Sequence, residues 1–346
     1  MATRNIAKVS ATADIRNWPN AAGIGFYQGR FWGNFNGSTA PLTGSNPFGA
    51  VLLVDADNGS DTDTRLPYAT IQAAVTAASA GDTIYVKAKN MASGATDPSN
   101  YAETIIIPAG KSRLSIIGIG GGPVQGSLPQ IKIGAGAVAM LDIRSPGCTI
   151  ANLGFNGSSS TGGGIVLTDD GGTTNTAFGT VITGCHFKNC KAHATNSKLG
   201  GAVYWSAAGG AWQVLISGNR FFNCIGSISL VGTTGSRPKD VVIDSNWFGS
   251  DAATSAIDSY IYGAGGSGFN DVSVTNNMFA SDKPSISSGS VALYMDLTGV
   301  VTGIVANNFF GTADGASFGA AGTDALVPTT VILAENYDEG GTFTRT

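Results

Sequence analysis

Alternating apolar residues, followed by Asn and then by an aromatic residue two places on, recur along the second half of the chain. The clear copies carry these pairs: Asn219 and Phe221, Asn246 and Phe248, Asn277 and Phe279, and Asn308 and Phe310. Looser copies close at Phe155, Phe187 and Tyr337, with Leu153, Cys185 and Glu335 at the Asn position. Successive closing aromatics lie 27 to 34 residues apart, and self-similarity at such a spacing predicts the stacked repeats of a solenoid.

The alternation within each copy predicts which side chains point into the solenoid. Because side chains alternate between the two faces of a strand, one internal column is expected from Ile216, Ile243, Val274 and Val305. The closing aromatics are expected to form a second internal column. The Asn residues fall at the bend, where stacked side-chain amides can bond to one another and to the turn backbone. The Asn row is therefore predicted to be structural rather than a functional site.

Short apolar runs between these copies predict a second sheet. They are residues 164–167, 201–205, 226–230, 260–262 and 290–294. Their outward aromatics are expected to be Tyr204, Tyr262 and Tyr294. Such tyrosines could stack on sugars or pack in a subunit interface, where Tyr is enriched. The scarcity of charge along the chain favours the interface.

A helix is predicted over residues 70–80, in front of the repeats. Thr70 is a suitable N-cap, and Gly81 follows as a C-terminal stop. One apolar face is spaced as a helix requires, through Ile71, Ala74, Val75 and Ala78. The chain is accordingly divided into an N-terminal arm, residues 1–50, and a solenoid, residues 51–346.

The arm differs from the rest of the chain in charge and aromatic content. It has one acidic residue, Asp14, and four basic residues, Arg4, Lys8, Arg16 and Arg30. Its net charge is therefore 4 − 1 = +3. Its aromatic residues are Trp18, Phe26, Tyr27, Phe31, Trp32, Phe35 and Phe48. It shows no periodic element, so an irregular arm is expected. It either packs along the solenoid or anchors the protein by inserting aromatics into a partner.

Composition narrows the class of protein. Charged residues make up 12% of the chain and glycines number 50, which suits short strands joined by tight turns and argues against a helical protein. The net charge is −4 without a basic stripe, so nucleic acid is a poor candidate partner. No apolar run approaches the roughly 18 residues of a membrane span, and the start lacks the apolar core of a secretory signal. A soluble protein made in a cytoplasm is expected.

Three segments resemble the opening of the pectin-lyase-like right-handed parallel β-helix superfamily: Pro67–Val75, Ala80–Val86 and Glu103–Ile105. The resemblance extends over roughly residues 51–340. It implies an all-β, single-stranded, right-handed parallel β-helix whose N-terminal end is capped by the helix at 70–80. It implies little about activity, because this fold hosts lyases, hydrolases, esterases, adhesins and viral spikes.

Two groups of residues could hold a metal ion. Acidic residues at alternate positions in Asp55–Asp63 could bind Ca²⁺ through oxygen ligands, although Leu66 stands where an EF-hand loop has its bidentate Glu. A solvated turn is favoured there and calcium stays open. Zinc is suggested by the closely spaced Cys185, His186, Cys190 and His193. Cys185 is expected to point inward and His186 outward, so these side chains do not converge, and no metal or cofactor site is predicted.

The remaining cysteine prediction concerns Cys190 and Cys224. Each follows a closing Phe by three residues, so they are expected to stack one coil apart, about 4.8 Å. That separation permits a disulfide. A column of reduced thiols is favoured in a protein made in a cytoplasm.

Catalytic residues are not predicted. Glycan hydrolysis needs two carboxylates that face each other across a groove. Asp169 and Asp170 form an adjacent pair, and Asp296 could lie on the same face, but several coils away. No clustered Asp and Arg set suggests a lyase, and the chain has only two histidines. If the protein is an enzyme, it is expected to be a glycoside hydrolase or a polysaccharide lyase.

The arm, the low charge, the short helix and the lack of a secretion signal together resemble tailed-phage head-decoration (cement) proteins and tailspikes. The resemblance implies a non-enzymatic structural virion protein, a homotrimer that docks onto a capsid or tail through residues 1–50 and projects its β-helix. One alternative is a tailspike that binds or depolymerises host surface polysaccharide. Another is a bacterial surface adhesin or a polysaccharide lyase or hydrolase.

Overall fold

The computed structural model of this protein describes side chains from residue 49 onward and, before it, only the backbone of segments 23–27, 30–35 and 38–41. Only the backbone is described for 293, 316–319, 338 and 343–345. The described ranges after the arm are 49–63, 65–120, 123, 126–132, 139–157, 163–169, 177–190, 201–206, 211–224, 226–231, 238–249, 259–264, 268–280, 293–311, 316–319, 325–338 and 343–345.

Three sheets run the length of the described solenoid. The parallel strands of sheet 1 are Val51–Val54, Thr83–Lys87, Ser115–Ile119, Thr149–Ala151, Val181–Thr183, Leu215–Ser217, Lys239–Asp244, Asn270–Thr275, Gly303–Ala306 and Val331–Ala334. Those of sheet 2 are Asn100–Ala102, Gln130–Lys132, Gly154–Asn156, His186–Lys188, Arg220–Phe222, Trp247–Gly249, Met278–Phe279, Phe309–Phe310 and Tyr337–Asp338. Those of sheet 3 are Ile105–Ile107, Ala139–Ile143, Gly163–Thr168, Val203–Ser206, Ile228–Ser229, Ser259–Tyr262, Leu293–Asp296, Ala316–Gly319, Ala325–Leu326 and Phe343–Arg345.

From Thr83–Lys87 onward the chain visits sheet 1, sheet 2 and sheet 3 in turn, and the strands of each sheet pair in parallel with those of the neighbouring coils. The predicted parallel β-helix is therefore confirmed. The short apolar runs expected to form a further sheet supply strands of sheet 3. The right-handed sense of the coil and the division at residue 50 stay predictions.

The interior is a continuous column of apolar side chains. Buried residues from Ala50 to Val331 form one hydrophobic cluster. The predicted inner column is confirmed, since the Cα positions pair in register and each side chain is buried, through Ile216, Ile243, Val274 and Val305. The predicted aromatic column is a stack of rings whose neighbouring centroids lie 4.7 to 4.9 Å apart. Its members are Phe155, Phe187, Phe221, Phe248, Phe279 and Phe310.

The Asn row is a hydrogen-bonded ladder inside the bend between sheets 1 and 2. In Asn246, the backbone N–H and the Nδ2 group both donate to Oδ1 of Asn277, at 2.9 and 3.0 Å. Nδ2 of Asn246 also donates to the carbonyl oxygen of Ile216, at 2.9 Å. The same bonds recur at the other rungs, so the buried amides have partners on both sides. The structural interpretation of this row is supported by those contacts.

The last rung differs from the sequence prediction. Asn336, not Glu335, accepts the bonds from Asn308, at 3.1 Å from the backbone nitrogen and 2.9 Å from Nδ2. Tyr337 consequently pairs with the exposed Phe309, and Asp338 pairs with Phe310. The prediction that Tyr337 closes the aromatic column is therefore wrong. A shift of one residue moves a side chain to the other face of a strand, and the Asn ladder sets this register more strongly than the aromatic does.

The predicted helix is present but shorter than expected. It spans Ile71–Ala77, and the Thr70 hydroxyl accepts from the backbone N–H of Ala73. The carboxylate of Glu103 accepts from the N–H groups of Ile71 and Gln72, at 3.0 and 2.9 Å. At the other end Lys111 donates to the carbonyl oxygens of Thr76 and Ala78. The helix packs its buried face on strands of sheets 1 and 3; that it closes the end of the solenoid stays a prediction.

The arm contains regular structure, contrary to the expectation of an irregular segment. Strands Gly23–Tyr27, Arg30–Phe35 and Ser38–Pro41 form an antiparallel meander. The middle strand pairs antiparallel with Val51–Val54, through Arg30 and Leu52. Aromatic residues favour strands. In the arm they are interleaved with Gly and Asn, so the alternation of apolar and polar residues that predicts a strand is not visible in the sequence.

The tyrosines expected to face outward are mostly buried. Tyr294 lies in the core, where its ring centroid is 5.2 Å from that of Phe310. Tyr204 faces away from the core but is covered, in a small cluster with Ala139 and Val166. Tyr262 is half-buried. Neither Tyr204 nor Tyr294 offers an exposed ring, so the predicted aromatic surface on this sheet is wrong for both.

Candidate functional site

Carboxylates of the Asp-rich loop, residues 55–63, form hydrogen bonds with other groups of the chain. Asp61 accepts from the N–H groups of Ala69 and Thr70 and from the Thr70 hydroxyl, at 2.8, 3.1 and 2.9 Å. The hydrogen-bonded guanidinium of Arg65 lowers the pKa of Asp63 to about 2. Burial alone would raise the pKa of Asp55, but hydrogen bonds from Lys87 and Asn58 bring it below its usual value. These contacts link the loop to the helix and to sheet 1.

The cysteines lie in the core as thiols. All four are free and buried. Burial raises the pKa of Cys148 and Cys185 to about 12, and burial together with the neighbouring Cys224 thiol raises the pKa of Cys190 well above its usual value. The prediction that Cys190 and Cys224 stack as reduced thiols agrees with these contacts. Among the described residues no group of three or more His, Cys, Asp or Glu is placed to hold a metal ion; His193 lies outside them.

Two of the carboxylates considered for glycan cleavage, Asp169 and Asp296, lie at the ends of sheet 3 strands that are four coils apart. Asp296 accepts from the backbone N–H and hydroxyl of Thr298, at 3.1 and 2.8 Å. Asp169 follows its sheet 3 strand at a half-buried position, and Asp170 lies outside the described residues. Asp142, which the sequence did not single out, is ion-paired with Arg144 and bonded to the Thr168 hydroxyl.

The outer face of sheet 2 carries a row of side chains that the sequence analysis did not identify. Successive positions are paired in register, one per coil. We call them the outer row: Gln130, Gly154, His186, Arg220, Trp247, Met278, Phe309 and Tyr337. Its last members are large and exposed, with 58% of Trp247 and 55% of Tyr337 accessible to solvent. In the clear repeats this position is the residue between Asn and the closing aromatic, which is the signal that could have found the row.

The first part of the outer row is buried and polar. A Cβ atom built on Gly154 would lie 2.3 Å from Nε2 of Gln130, so the Gln130 side chain lies across this glycine. Nε2 of Gln130 and Nε2 of His186 are buried without a hydrogen-bond partner among the described residues. Burial, and then the positive charge of Arg220, lower the pKa of His186 to about 4. His186 is therefore neutral at pH 7, and Arg220 supplies the positive charge of the row.

A cleft opens where the row changes from polar to apolar, around Arg220 and Trp247. These two residues are direct partners on adjacent strands. They line a cavity of about 170 Å³ on one side, with Phe222, Gly249, Met278 and Ala280. They line a second, of about 140 Å³, with Pro123, Gly218, Asn219 and Ser245. We call the pair of cavities the Trp247 cleft.

Comparisons with solved structures find matches of low similarity. No protein-family model and no curated protein matches it. A GH136 lacto-N-biosidase from Eubacterium ramulus is 8% identical with a TM-score of 0.37, over 83% of this chain and 67% of that chain. ORF18 of Geobacillus virus E2 is 13% identical with a TM-score of 0.33, over 90% of this chain and 67% of that chain. At these values the likenesses carry no argument about activity or partners, and membership of the pectin-lyase-like superfamily stays a prediction.

The described part of the chain holds no helix of the length and apolar character that crossing a bilayer requires.

Proposed function

We propose that this protein is a structural component of a tailed-phage virion, a homotrimer that decorates the capsid and docks through residues 1–50. The observation that carries the proposal is the junction between arm and solenoid. The arm meander adds to Val51–Val54, the first strand of sheet 1, by antiparallel pairing at Arg30 and Leu52. The arm is thus attached at the first strand of the solenoid. If the arm docks on a capsid, the coils that follow would project from the particle.

The chemistry of the arm suits an acidic or apolar docking surface. Its excess of basic residues contrasts with the net charge of −4 for the whole chain. Complementary charge steers association and fixes register between partners. Aromatic residues are enriched in the buried cores of interfaces, and the arm holds Trp18, Phe31 and Trp32 among others.

A column on the outer face of sheet 1, aliphatic except for Ser273, supports assembly from several copies. Its positions are paired in register and run through Leu215, Val242, Ser273, Ile304 and Ile332. Val242 is 36% exposed and Ile332 is 61% exposed. Such a column costs free energy in water, and side-by-side packing of three β-helices would bury it.

Binding to purified capsids that lack the protein tests the proposal. The full-length chain should decorate such capsids, and the variant Arg4→Gln/Lys8→Gln/Arg16→Gln should bind with reduced affinity and a weaker salt dependence. The matched control removes the same number of charges from the solenoid, as Arg65→Gln/Lys132→Gln/Lys239→Gln, and should bind normally. Equal binding by both variants would contradict docking through the basic arm.

A second function, the binding of host surface glycan by a tailspike-like protein, is favoured by one observation. The Trp247 cleft joins an exposed indole to a guanidinium on a rigid sheet, and rigid elements place binding groups more accurately than loops do.

A further inference from the structure

The outer row of sheet 2 places an aromatic ring and a cation side by side at the Trp247 cleft. Arg220 and Trp247 are paired across adjacent strands and both line the two cavities. Because the strands are parallel, the two side chains leave the same face of the sheet one strand spacing apart, about 4.8 Å. The closing aromatics beneath them, Phe221 and Phe248, are stacked at 4.9 Å in the core. The floor of the cleft is therefore rigid.

Trp247 offers a large apolar face to solvent. More than half of the side chain is exposed, although burying a large aromatic is among the larger favourable terms available to a fold. Half-buried Phe222 and exposed Met278 flank it in the larger cavity. A flat ligand with an apolar face would remove this surface from water.

Arg220 gives the cleft a positive charge. Within the described part of the chain its guanidinium forms no hydrogen bond or ion pair, whereas Lys188 in the preceding coil lies 3.5 Å from Asp97. His186, the neighbour of Arg220 in the outer row, is buried. A guanidinium presents paired N–H donors that match a carboxylate in two parallel hydrogen bonds.

We propose that the Trp247 cleft binds an acidic saccharide, with the apolar face of one pyranose ring stacked on Trp247 and its carboxylate paired with Arg220. The axial C–H groups of a pyranose form the apolar face, and the ring hydroxyls stay toward water. Each cavity is smaller than the roughly 300 Å³ at which drug-sized pockets begin, which suits single sugar units on either side of the indole. This inference does not depend on the capsid role, but it rests on the second function and gives the class of glycan that the cleft would bind.

A substitution at Gly249 can block the larger cavity and leave both Arg220 and Trp247 unchanged. A Cβ atom built there would lie 3.5 Å from Cβ of Ala280 and 3.9 Å from Cδ2 of Phe222, which are ordinary contacts. A Leu side chain at this position would therefore fit the backbone and project into the larger cavity. Gly249→Leu is a steric block that leaves Arg220 and Trp247 in place.

The test is binding of the full-length protein to an array of acidic oligosaccharides, namely hexuronate, sialylated and pyruvylated, each beside its neutral counterpart. The wild-type protein should bind acidic members in preference to neutral ones. Trp247→Ala should weaken binding about tenfold, the scale of one aromatic contact. Arg220→Met should lose the preference for acidic over neutral members, by about tenfold or more. Gly249→Leu should also lose binding.

Tyr337→Ala is the matched control, because it removes an equally exposed aromatic of the same row two coils beyond Met278. It should bind as the wild-type protein does. All variants face outward, and unchanged far-UV circular dichroism and thermal transitions would exclude misfolding. Failure of the wild-type protein to bind any acidic member, or equal loss with Tyr337→Ala and Trp247→Ala, would overturn the proposal. The second result would point instead to an apolar contact along the whole row.

Discussion

The side-chain oxygen of Asn308 accepts two hydrogen bonds from Asn277, one from its backbone nitrogen at 2.9 Å and one from Nδ2 at 3.0 Å. Nδ2 of Asn277 also donates to the carbonyl oxygen of Ile243, at 2.9 Å. Each such rung therefore makes three hydrogen bonds between neighbouring coils in the buried bend. A buried polar group without a partner costs free energy, so the ladder makes the register between coils specific.

Asn277→Ala is expected to destabilise the protein. It removes the Asn277 side chain that accepts from the buried backbone N–H of Asn246 and donates to the carbonyl oxygen of Ile243, at a cost of about 1–3 kcal/mol for each group left unsatisfied. Ser273→Ala, on the half-exposed face of the same strand, should change the free energy of unfolding by less than about 0.5 kcal/mol. Urea unfolding measures both. Equal midpoints for the two variants would contradict the role given to the ladder.

Glu335→Asn is expected to leave the stability unchanged or to raise it by up to about 1 kcal/mol. Glu335 has a φ of 49°, and the equivalent residues Asn276 and Asn307 have a φ of 56°. Asn tolerates this left-handed backbone better than Glu does. The substitution would also give the last rung the Asn-Asn pair found at 276–277 and 307–308. A lower thermal midpoint than wild type would contradict the register that places Asn336 in the ladder.

His186 is expected to make the protein less stable as the pH falls from about 6.5 to about 4. Its pKa is lowered from 6.5 to about 4 in the folded state, so between these values the unfolded chain binds the proton more tightly. The loss of stability begins as the pH falls below 6.5 and is complete below the folded pKa, with a total of about 3 kcal/mol. The pKa of Glu103, raised by burial, acts in the opposite sense.

Comparison of His186→Gln with wild type isolates the contribution of His186, because Glu103 is common to both. The free energy of unfolding of the variant should vary less between pH 6.5 and 4. His193→Gln is the control for the other histidine. If the curve of His186→Gln parallels that of wild type across this range, His186 is not neutral in the fold.

The four cysteines are expected to resist alkylation in the native protein. They are buried thiols, and burial raises the pKa of Cys148 and Cys185 to about 12; the thiolate is the reactive form. Mass spectrometry after iodoacetamide treatment at pH 8 should show no adduct on the folded chain and four after denaturation. Rapid labelling of Cys190 or Cys224 in the native protein would contradict their place in the core.

The sequence predicts the scaffold well because the inward-facing positions repeat the same residue types from coil to coil. The apolar column at Ile216 and its equivalents, the Phe stack and the Asn ladder all follow from one pattern. The prediction that Tyr337 joins the aromatic column is wrong. Tyr337 lies two residues after Glu335, as the repeat requires, but Asn336 forms the last rung of the ladder and sets the register. The prediction for Tyr294 is also wrong, because the direction of a side chain in a short sheet 3 strand depends on the bend that precedes it.

The candidate site was harder to predict, because its residues vary from coil to coil. Arg220 and Trp247 occupy one position of the repeat, but they share no chemical type. Their proximity follows only from the parallel register of adjacent strands, and the cavities depend on Gly249 and on Pro123, which is distant in sequence. Residues outside the repeat therefore shape the site.

The proposed capsid role is tested most directly by locating the chain on purified virions of a phage whose genome carries its gene. Immunogold electron microscopy with antibodies against the solenoid should place label over the capsid surface of intact particles. Label confined to the tail would contradict capsid decoration and favour the tailspike-like alternative. The absence of label from purified virions that are shown to contain their other structural proteins would contradict a virion role altogether.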